Sequence, residues 1–464
     1  MPDHPARVRR VWTGGPDHDE HERLVGYEHV ATHVRRLRHR ARSNRLQESL
    51  LFLPVLLLVG AVLVEQGLAE VDRAVKVPAA TLDLPPDAAV TLLATIAGAT
   101  ITTAGVVFSL LVVSLQLASG QFSPRVLRTF WRDRFGQLLV GLLLATFAFC
   151  VLALTQIDTS KPHAPTLTMF GALLLTFASI VAIVLYLHRI TRQQYVGRIL
   201  ERISEETLEL VSELPYGSRV GQRVGDPVDP PDVAVLGEPL VVRGHVDGWV
   251  QQISRRAVIG AAPADSVVRL ETRVGAYVVA DTPLATIWPR PEPALAAQFA
   301  RGVGEAFIVG VSRTMQQDID FGLRQLNDIA LRALSPAVND PTTAIEVILR
   351  VSSIMRRLVR ADLPPQAARD QAGRMLLTPW DLDHGEYIEH GYSQLRRYAG
   401  PHLEVMMALM RNLRMLRAAC MITGAREKAM AALDKQVEAA LDIAAAAGLT
   451  EAELAALREA ARAR

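Results

Sequence analysis

The chain contains few of the residues on which disulfides and thiol-based sites depend. Among 464 residues it has only two cysteines, Cys150 and Cys420. The first lies in an apolar stretch and the second in a helical pattern far along the chain, so the two are not expected to pair. Cysteine-based metal and redox motifs are also missing from the sequence. These absences argue against a disulfide-stapled secreted protein.

The sequence also lacks the short motifs that carry common enzymatic reactions. It has no Gly-rich phosphate-binding loop, no G-x-S-x-G nucleophile elbow and no H-E-x-x-H zinc motif. Histidines stand beside carboxylates in "PDHDEH" and in "DHGEYIEH", but His384 and His390 are six residues apart and do not share a helix face. We therefore predict no cofactor, no metal site and no catalytic residue.

Charge is missing from four long apolar stretches. Half of the residues are apolar and the mean hydropathy is +0.19, which indicates membrane spans. A transmembrane helix needs about 20 apolar residues to cross the hydrocarbon core. The stretches are Leu50–Val64 extended by Gly67–Ala69, Ala88–Ala118, Gly136–Thr155 and Leu167–Leu187. They predict a domain of four transmembrane helices within residues 46–190.

The dense clusters of basic residues all fall on one side of these predicted spans. Arginines are dense before the first span, between the second and third, and after the fourth. Because loops rich in Lys and Arg stay in the cytoplasm, both termini are predicted to be cytoplasmic. The first 45 residues are polar, basic and too long to begin a cleavable signal peptide. We predict that residues 1–45 form a disordered tail whose arginines contact the bilayer's anionic lipid headgroups, and not nucleic acid.

The second span is unusual because small and hydroxyl residues follow its whole length. The candidate residues of a special face are Gly98, Thr102, Gly105, Ser109 and Gln116. One interpretation is close helix packing, in which hydroxyl groups bond back to their own helix. The other is the water-facing wall of a pore or substrate path. The sequence leaves both interpretations open.

Two further features concern the ends of the spans. Glu65 closes the first apolar stretch, and we interpret it as a solvated carboxylate at the outer interface. The helical pattern of the fourth span continues over residues 191–215, which predicts a cytoplasmic extension of that helix. This extension is either a plain packing helix or a lever between the spans and the cytoplasmic part.

After a loop rich in Pro, Gly and Asp, the pattern changes from helix to strand. Residues 236–290 are rich in β-branched residues and alternate in polarity, which predicts a small β-domain. The segment "RVGAYVVADTPLATI" is similar to the small barrels of biotinyl and lipoyl carriers, which implies a barrel-like domain. A carrier role is not expected, because lysine is missing from Gln193 to Glu427. Amphipathic periods predict an α-helical domain over residues 293–464.

The segment "SPAVND" separates two amphipathic helical patterns. Asp340 suits the N-cap of the second helix and Pro341 its first position, so capping explains most of this composition. The functional alternative is a polar site, formed with the "RTMQQD" segment, that binds an ion, an anionic ligand or another subunit. The candidate residues of that site are Arg313, Asp318, Ser335, Asn339 and Asp340.

Three motifs resemble those of a known family. They are "FSLLVVSLQLASGQFSPRVLRTFWRDRFGQ", "SRTMQQDIDFGLRQLNDIALRALSPAVNDPTTA" and, more briefly, "YSQLRRYA". The family they resemble is a bacterial group of predicted membrane proteins, domain of unknown function 2254. The resemblance implies a bacterial inner-membrane protein with four spans and a cytoplasmic domain, and it implies no reaction.

The predicted fold class is an α-helical integral membrane protein with a cytoplasmic α+β region. The first functional hypothesis is an oligomeric channel or transporter-like protein gated by its cytoplasmic domain. It requires a homo-oligomer, because four spans rarely enclose a path alone. The second is a membrane-anchored sensor or scaffold that binds a cytoplasmic partner or a small ligand. The third is a membrane-bound hydrolase that uses the paired histidines and carboxylates.

Overall fold

The structure is a computed structural model, and it describes residues 52–74, 84–121, 134–158, 163–193, 196–214, 224–422 and 427–462. The predicted tail, residues 1–45, lies outside the described residues. The chain divides into two compact units, each of which is described by itself. Among the described residues, unit 1 comprises Glu209–Phe321 and Ala361–His384, and unit 2 comprises the remainder.

Four helices of unit 2 are long and apolar enough to cross a membrane, in agreement with the four predicted spans. They are α1 (Phe52–Ala74), α2 (Pro86–Gln121), α3 (Arg134–Gln156) and α4 (Thr166–Gln193). Large apolar side chains remain exposed on their outer faces, as Phe177 does at 67%. Such exposure is expected of helices whose outer faces contact lipid.

The third helix is the centre of this bundle, since α1, α2 and α4 all contact it. Two glycines permit the close approach of their neighbours. A Cβ atom at Gly141 would lie 2.8 Å from the Pro54 Cα, and one at Gly171 would lie 2.9 Å from Phe149 Cζ and 3.0 Å from Leu68 Cδ1. The small residues therefore serve helix packing on α3 and α4, as is common in membranes.

Within the described residues, nine further α-helices follow the candidate spans. They are α5 (Val196–Glu213), α6 (Arg255–Ala261), α7 (Pro293–Glu305), α8 (Ile319–Ala333), α9 (Pro341–Leu358), α10 (His384–Ala399), α11 (Leu403–Ile422), α12 (Glu427–Ala446) and α13 (Glu451–Ala461). In unit 2, α11 packs against α9, α12 and α13. Residues 194 and 195, between α4 and α5, lie outside the described part, so the continuous extension over 191–215 stays a prediction.

The strands of unit 1 form two sheets. They are β1 (Asp226–Pro227), β2 (Leu240–Arg243), β3 (Gly248–Ile253), β4 (Val267–Leu270), β5 (Tyr277–Val278), β6 (Pro283–Trp288), β7 (Phe307–Gly310), β8 (Ala367–Arg369) and β9 (Met375–Leu377). One sheet has the order β1-β8-β9-β4-β6-β2, and the other has the order β5-β3-β7. The β4–β9 pair is parallel, and the remaining pairs are antiparallel.

The prediction of a barrel-like domain is not confirmed, because the described strands form open sheets. The larger sheet ends at β1 and β2, which do not pair with each other in its order. Three of its strands lie outside residues 236–290: β1 precedes that region, and β8 and β9 lie about a hundred residues beyond β4 along the chain. Together with β7, the strands β8 and β9 also interrupt the region predicted to be helical, residues 293–464.

Candidate functional site

The exposed face of α2 carries a row of small and hydroxyl residues that continues, after a turn occupied by Val112 and Val113, to Gln116. We call it the hydroxyl stripe, and its residues are Thr95, Gly98, Thr102, Gly105, Ser109 and Gln116. Their spacings of three, four, three, four and seven keep them within a narrow arc of a 3.6-residue helix. All six are exposed, and nothing lies within 4 Å of a Cβ built on Gly98 or Gly105. The stripe therefore has open space in front of it.

The hydroxyl groups of the stripe bond back to their own helix. Thr102 Oγ1 donates to the Gly98 carbonyl oxygen at 2.8 Å, and Ser109 Oγ donates to the Gly105 carbonyl oxygen at 3.0 Å. This part of the packing interpretation is confirmed. Packing against the described part of the chain uses the other face of α2, where Leu93 is fully buried. The small residues of the stripe are thus not needed for contacts within the described chain.

The second candidate site begins with a buried ion cluster in unit 1. Arg313 Nε and Nη2 each donate to one carboxylate oxygen of Asp318 at 2.8 Å. Arg313 Nη2 also donates to Asp320 Oδ2 at 3.0 Å. The side chains are only 11%, 3% and 4% exposed, in that order. This two-pronged pairing satisfies both carboxylates while keeping them out of water.

Neighbouring residues hold this cluster from several sides. The Arg313 guanidinium carbon lies 5.8 Å from the centre of the Trp249 ring and 5.2 Å from that of Phe321. The Phe321 backbone N–H donates to Asp318 Oδ1 at 3.0 Å. Gly275 has φ +83°, and a Cβ there would collide with the Asp318 carboxylate. The cluster is therefore a rigid structural junction within unit 1, where residues 318–321 meet the residues around the small sheet.

Burial dominates the electrostatics of Asp318. Removal from water raises the pKa of its carboxyl, while the Arg313 guanidinium and the Phe321 backbone N–H oppose that shift. The guanidinium already donates three hydrogen bonds to the two carboxylates. The geometry consequently favours a structural ion pair over an open anion-binding site.

The turn in unit 2 is built as a helix cap. Asp340 is the N-cap of α9 and Pro341 its first residue, which confirms the prediction. The Asp340 carboxylate accepts from the Thr343 backbone N–H at 3.1 Å and from Thr343 Oγ1 at 2.6 Å, and these bonds lower the pKa of Asp340. Asn339 has φ +46°, a left-handed conformation that asparagine tolerates. Ser335 contributes its carbonyl oxygen, which accepts from the Asn339 N–H at 2.9 Å.

The five candidate residues of the polar site therefore fall into two sets. Arg313 and Asp318 are in direct contact within unit 1. Ser335, Asn339 and Asp340 lie together in the turn of unit 2. Convergence of the two sets at one site stays a prediction. The capping role explains the turn without it.

Histidines do not assemble a metal centre in the described residues. No group of three or more His, Cys, Asp or Glu side chains with metal-binding geometry occurs among them. His384 Nε2 lies 3.1 Å from the Ala361 carbonyl oxygen, and the His390 carbonyl oxygen accepts from Asn327 Nδ2 at 2.9 Å. The "PDHDEH" segment lies outside the described residues.

Polar residues of the "YSQLRRYA" motif form buried bonds between helices of unit 2. The Tyr392 hydroxyl and Ser352 Oγ are 2.8 Å apart, and burial raises the pKa of Tyr392. Arg396 Nη1 donates to Gln436 Oε1 at 2.9 Å, and Gln436 Nε2 donates to Glu389 Oε2 at 2.9 Å. These partners are distant in sequence, so the pattern of the motif alone does not predict them.

Glu65 is not the solvated carboxylate that we interpreted from the sequence. It lies within α1, nine residues before the end of that helix, and it is 0% exposed. The interpretation was wrong because the helix continues to Ala74. Glu65 shares the packed face of that helix with Ala61 and Ala69, which are also buried.

Comparison with known proteins identifies the family. A family model described as "Predicted membrane protein (DUF2254)" matches residues 47–415. Uncharacterized proteins of Mycobacterium bovis and Mycobacterium tuberculosis are 37% identical over 317 residues, which is 67% of this chain. The match spans 60% of the length of these curated relatives. No solved structure matches the chain. The chain therefore belongs to this family of predicted membrane proteins.

Proposed function

We propose that the chain assembles as a homo-oligomer and that the hydroxyl stripe of α2 lines a channel or transporter-like path at the subunit interface. The observation that carries the proposal is the open stripe itself. Its six residues are exposed, and all but Gln116 lie in the candidate span Pro86–Val113. In the oligomer, a second copy of the chain packs against the stripe, which no described part of the same chain covers.

The chemistry of the stripe suits a partner helix and water better than lipid. The exposed Thr102 and Ser109 oxygens lie inside the candidate span Pro86–Val113, where lipid tails offer them no hydrogen-bond donor. Alternating spacings of three and four residues are typical of paired helices, and glycines let their backbones approach closely. A hydroxyl group that donates to its own helix keeps oxygen lone pairs that accept from water. The stripe can thus both contact a second subunit and face water in the path.

Contacts within unit 2 support gating by the part of the chain beyond the spans. The helix α5 begins three residues after α4 ends. A Cβ at Gly197 of α5 would lie 3.4 Å from Glu346 Oε1 of α9. The helix α9 is the one that Asp340 caps. A movement of α9 is therefore expected to reach α5 directly, and from there the end of the fourth span.

The membrane setting belongs to the same proposal. Except for Arg134 at the start of α3, the dense arginines before the first span and between the second and third lie outside the described residues. We place these arginines in the cytoplasm, where they contact anionic lipid headgroups of a bacterial inner membrane. Both termini then lie in the cytoplasm.

Purification and reconstitution test this function. The wild-type protein is expected to run as an oligomer and to dissipate a potassium chloride gradient across liposomes. Thr102→Phe fills the stripe and is expected to abolish at least about nine-tenths of the flux, since bulk at a pore wall closes it. Ile101→Phe is the matched control, because Ile101 is adjacent, exposed and off the stripe. A monomeric wild type that passes no ions would overturn the proposal.

A second candidate function is a membrane-anchored sensor, and one observation favours it. Ser312 Oγ and Thr314 Oγ1 are buried beside Arg313 without a hydrogen-bond partner in the described part of the chain. Such hydroxyl groups are free to bond a small polar ligand. The reconstitution experiment separates the two functions, because a sensor passes no ions whatever its oligomeric state.

A further inference from the structure

A carboxyl group lies inside the membrane bundle on the inner face of α1. The buried positions of that helix are Pro54, Ala61, Glu65 and Ala69, which recur at seven and four residues. This spacing places Glu65 at the middle of the packed face. Of these four buried residues, Glu65 is the one with an ionisable side chain.

Contacts on either side of Glu65 fix its depth in the bundle. At one end of α1, Pro54 lies against Gly141 of α3, and at the other Arg73 donates to Gln156 of α3 at 2.5 Å. The two helices therefore run parallel, and Glu65 lies between these contacts. One turn beyond Glu65, Leu68 meets Gly171 of α4. Glu65 is thus close to the place where three helices converge.

Neither Glu65 oxygen has a hydrogen-bond partner among the residues that the structure describes. The surrounding buried cluster is apolar and includes Phe149, Ala153 and Met169. The helices packed around it carry few titratable or charged groups. These groups are Asp87 on α2, Arg134 and Cys150 on α3, Tyr186, His188, Arg189 and Arg192 on α4, and Glu70, Asp72 and Arg73 on α1 itself.

The surroundings of Glu65 favour a proton over a metal cation as the ligand of its carboxyl group. An unpaired carboxylate in an apolar interior is very costly, so a buried carboxyl group requires neutralisation. A metal cation needs several oxygen ligands. Two buried hydroxyl groups of α3 and α4, Thr146 Oγ1 and Ser179 Oγ, already bond each other at 3.0 Å. A proton needs only the carboxyl group itself.

We propose that Glu65 is a proton-binding site in the interior of the membrane bundle. The carboxylic acid releases its proton to water when water reaches the site, and the carboxylate takes up a proton when the site closes. The proposal goes beyond the path along α2, because Glu65 is on a different helix. It stands whether or not the chain forms oligomers.

The nearer polar end of α1 supplies the route for exchange. Asp72 lies seven residues beyond Glu65, two turns or about 10 Å along the same side of the helix. Its carboxylate accepts from the Leu167 and Thr168 backbone N–H groups at 3.1 and 2.9 Å and from Thr168 Oγ1 at 2.9 Å. This polar layer is the place from which water has the shortest distance to travel.

Infrared difference spectroscopy of the protein in lipid bilayers tests the site directly. Cycling the pH is expected to reveal a carboxylic acid C=O band of a group in apolar surroundings, assigned to glutamate by isotope labelling. We expect Glu65→Gln to remove the whole band. The matched control is Glu70→Gln, because Glu70 is on the same helix but exposed and paired with Arg73. This control is expected to leave the band unchanged.

The wild-type titration keeps the proposal falsifiable even if Glu65→Gln does not fold. In that case Glu65→Asp, which retains a carboxyl group, is expected to shift the band rather than remove it. A wild-type protein without such a glutamate band overturns the proposal. A band that does not change over the whole pH range in which the protein stays folded also overturns it, because Glu65 would then be a permanently neutral packing residue.

Discussion

Replacement of Arg313 by methionine is expected to lower the free energy of unfolding by about 3–5 kcal/mol, the usual cost of removing one partner from a buried ion pair. The variant leaves Asp318 and Asp320 with side chains only 3% and 4% exposed and without their guanidinium. Denaturant unfolding of the detergent-solubilised chain, followed by tryptophan fluorescence, measures the loss. Trp249 reports on the cluster because its ring lies against Arg313.

Two further variants show whether the loss of stability comes from the carboxylates of Asp318 and Asp320 that remain buried without Arg313. Arg290→Met removes an exposed arginine whose Nη1 lies 3.9 Å from Glu238 Oε2, and it is expected to cost less than about 1 kcal/mol. A triple variant, Arg313→Met with Asp318→Asn and Asp320→Asn, is expected to recover part of the stability because no buried charge remains. If the triple variant is no more stable than Arg313→Met, the charges are not the cause.

Replacement of Gly275 by alanine is the second substitution with a large expected effect. A left-handed backbone costs an L-residue about 1–2 kcal/mol, and Gly275 has φ +83°. The new Cβ would also lie 2.7 Å from Arg313 Nη2 and closer still to the Asp318 carboxylate. We expect a total loss of roughly 3 kcal/mol or more, since the ion pair must move apart.

Gly237 provides a matched control for this substitution. It has the same φ of +83°, but nothing lies within 4 Å of a Cβ built there. Gly237→Ala is therefore expected to show the backbone cost alone, about 1–2 kcal/mol. The difference between the two variants measures the collision with the cluster. Equal losses would mean that the Arg313–Asp318 pair yields freely and is not a rigid junction.

The features that were predicted correctly are local in sequence. An apolar run of about 20 residues specifies a span by itself, and all four candidate spans were found in this way. The N-cap at Asp340 also depends on neighbouring residues only, because its partner is Thr343. The open sheet was missed because β8 and β9 are three residues each and pair with strands far away in sequence.

The two candidate sites show a similar division. Residue type singled out five of the six residues of the hydroxyl stripe, all but Thr95, but it does not say which face of a helix the rest of the chain covers. The "RTMQQD" segment predicted a polar site. In the structure its Arg313 and Asp318 form an ion pair, and the rings of Trp249 and Phe321 lie against Arg313. Glu65 was placed wrongly because the depth of a charge within a span depends on where the helix ends.

Disulfide formation between copies of the chain tests the subunit interface most directly. In a background in which the native Cys150 and Cys420 are replaced by serine, Ser109→Cys is expected to yield a covalent dimer after mild oxidation in membranes. Phe108→Cys is adjacent and exposed but lies about 100° around the helix from Ser109, off the stripe, and it is expected to stay monomeric on a denaturing gel. A dimer from Phe108→Cys but not from Ser109→Cys, or from neither variant, would contradict an interface along the hydroxyl stripe.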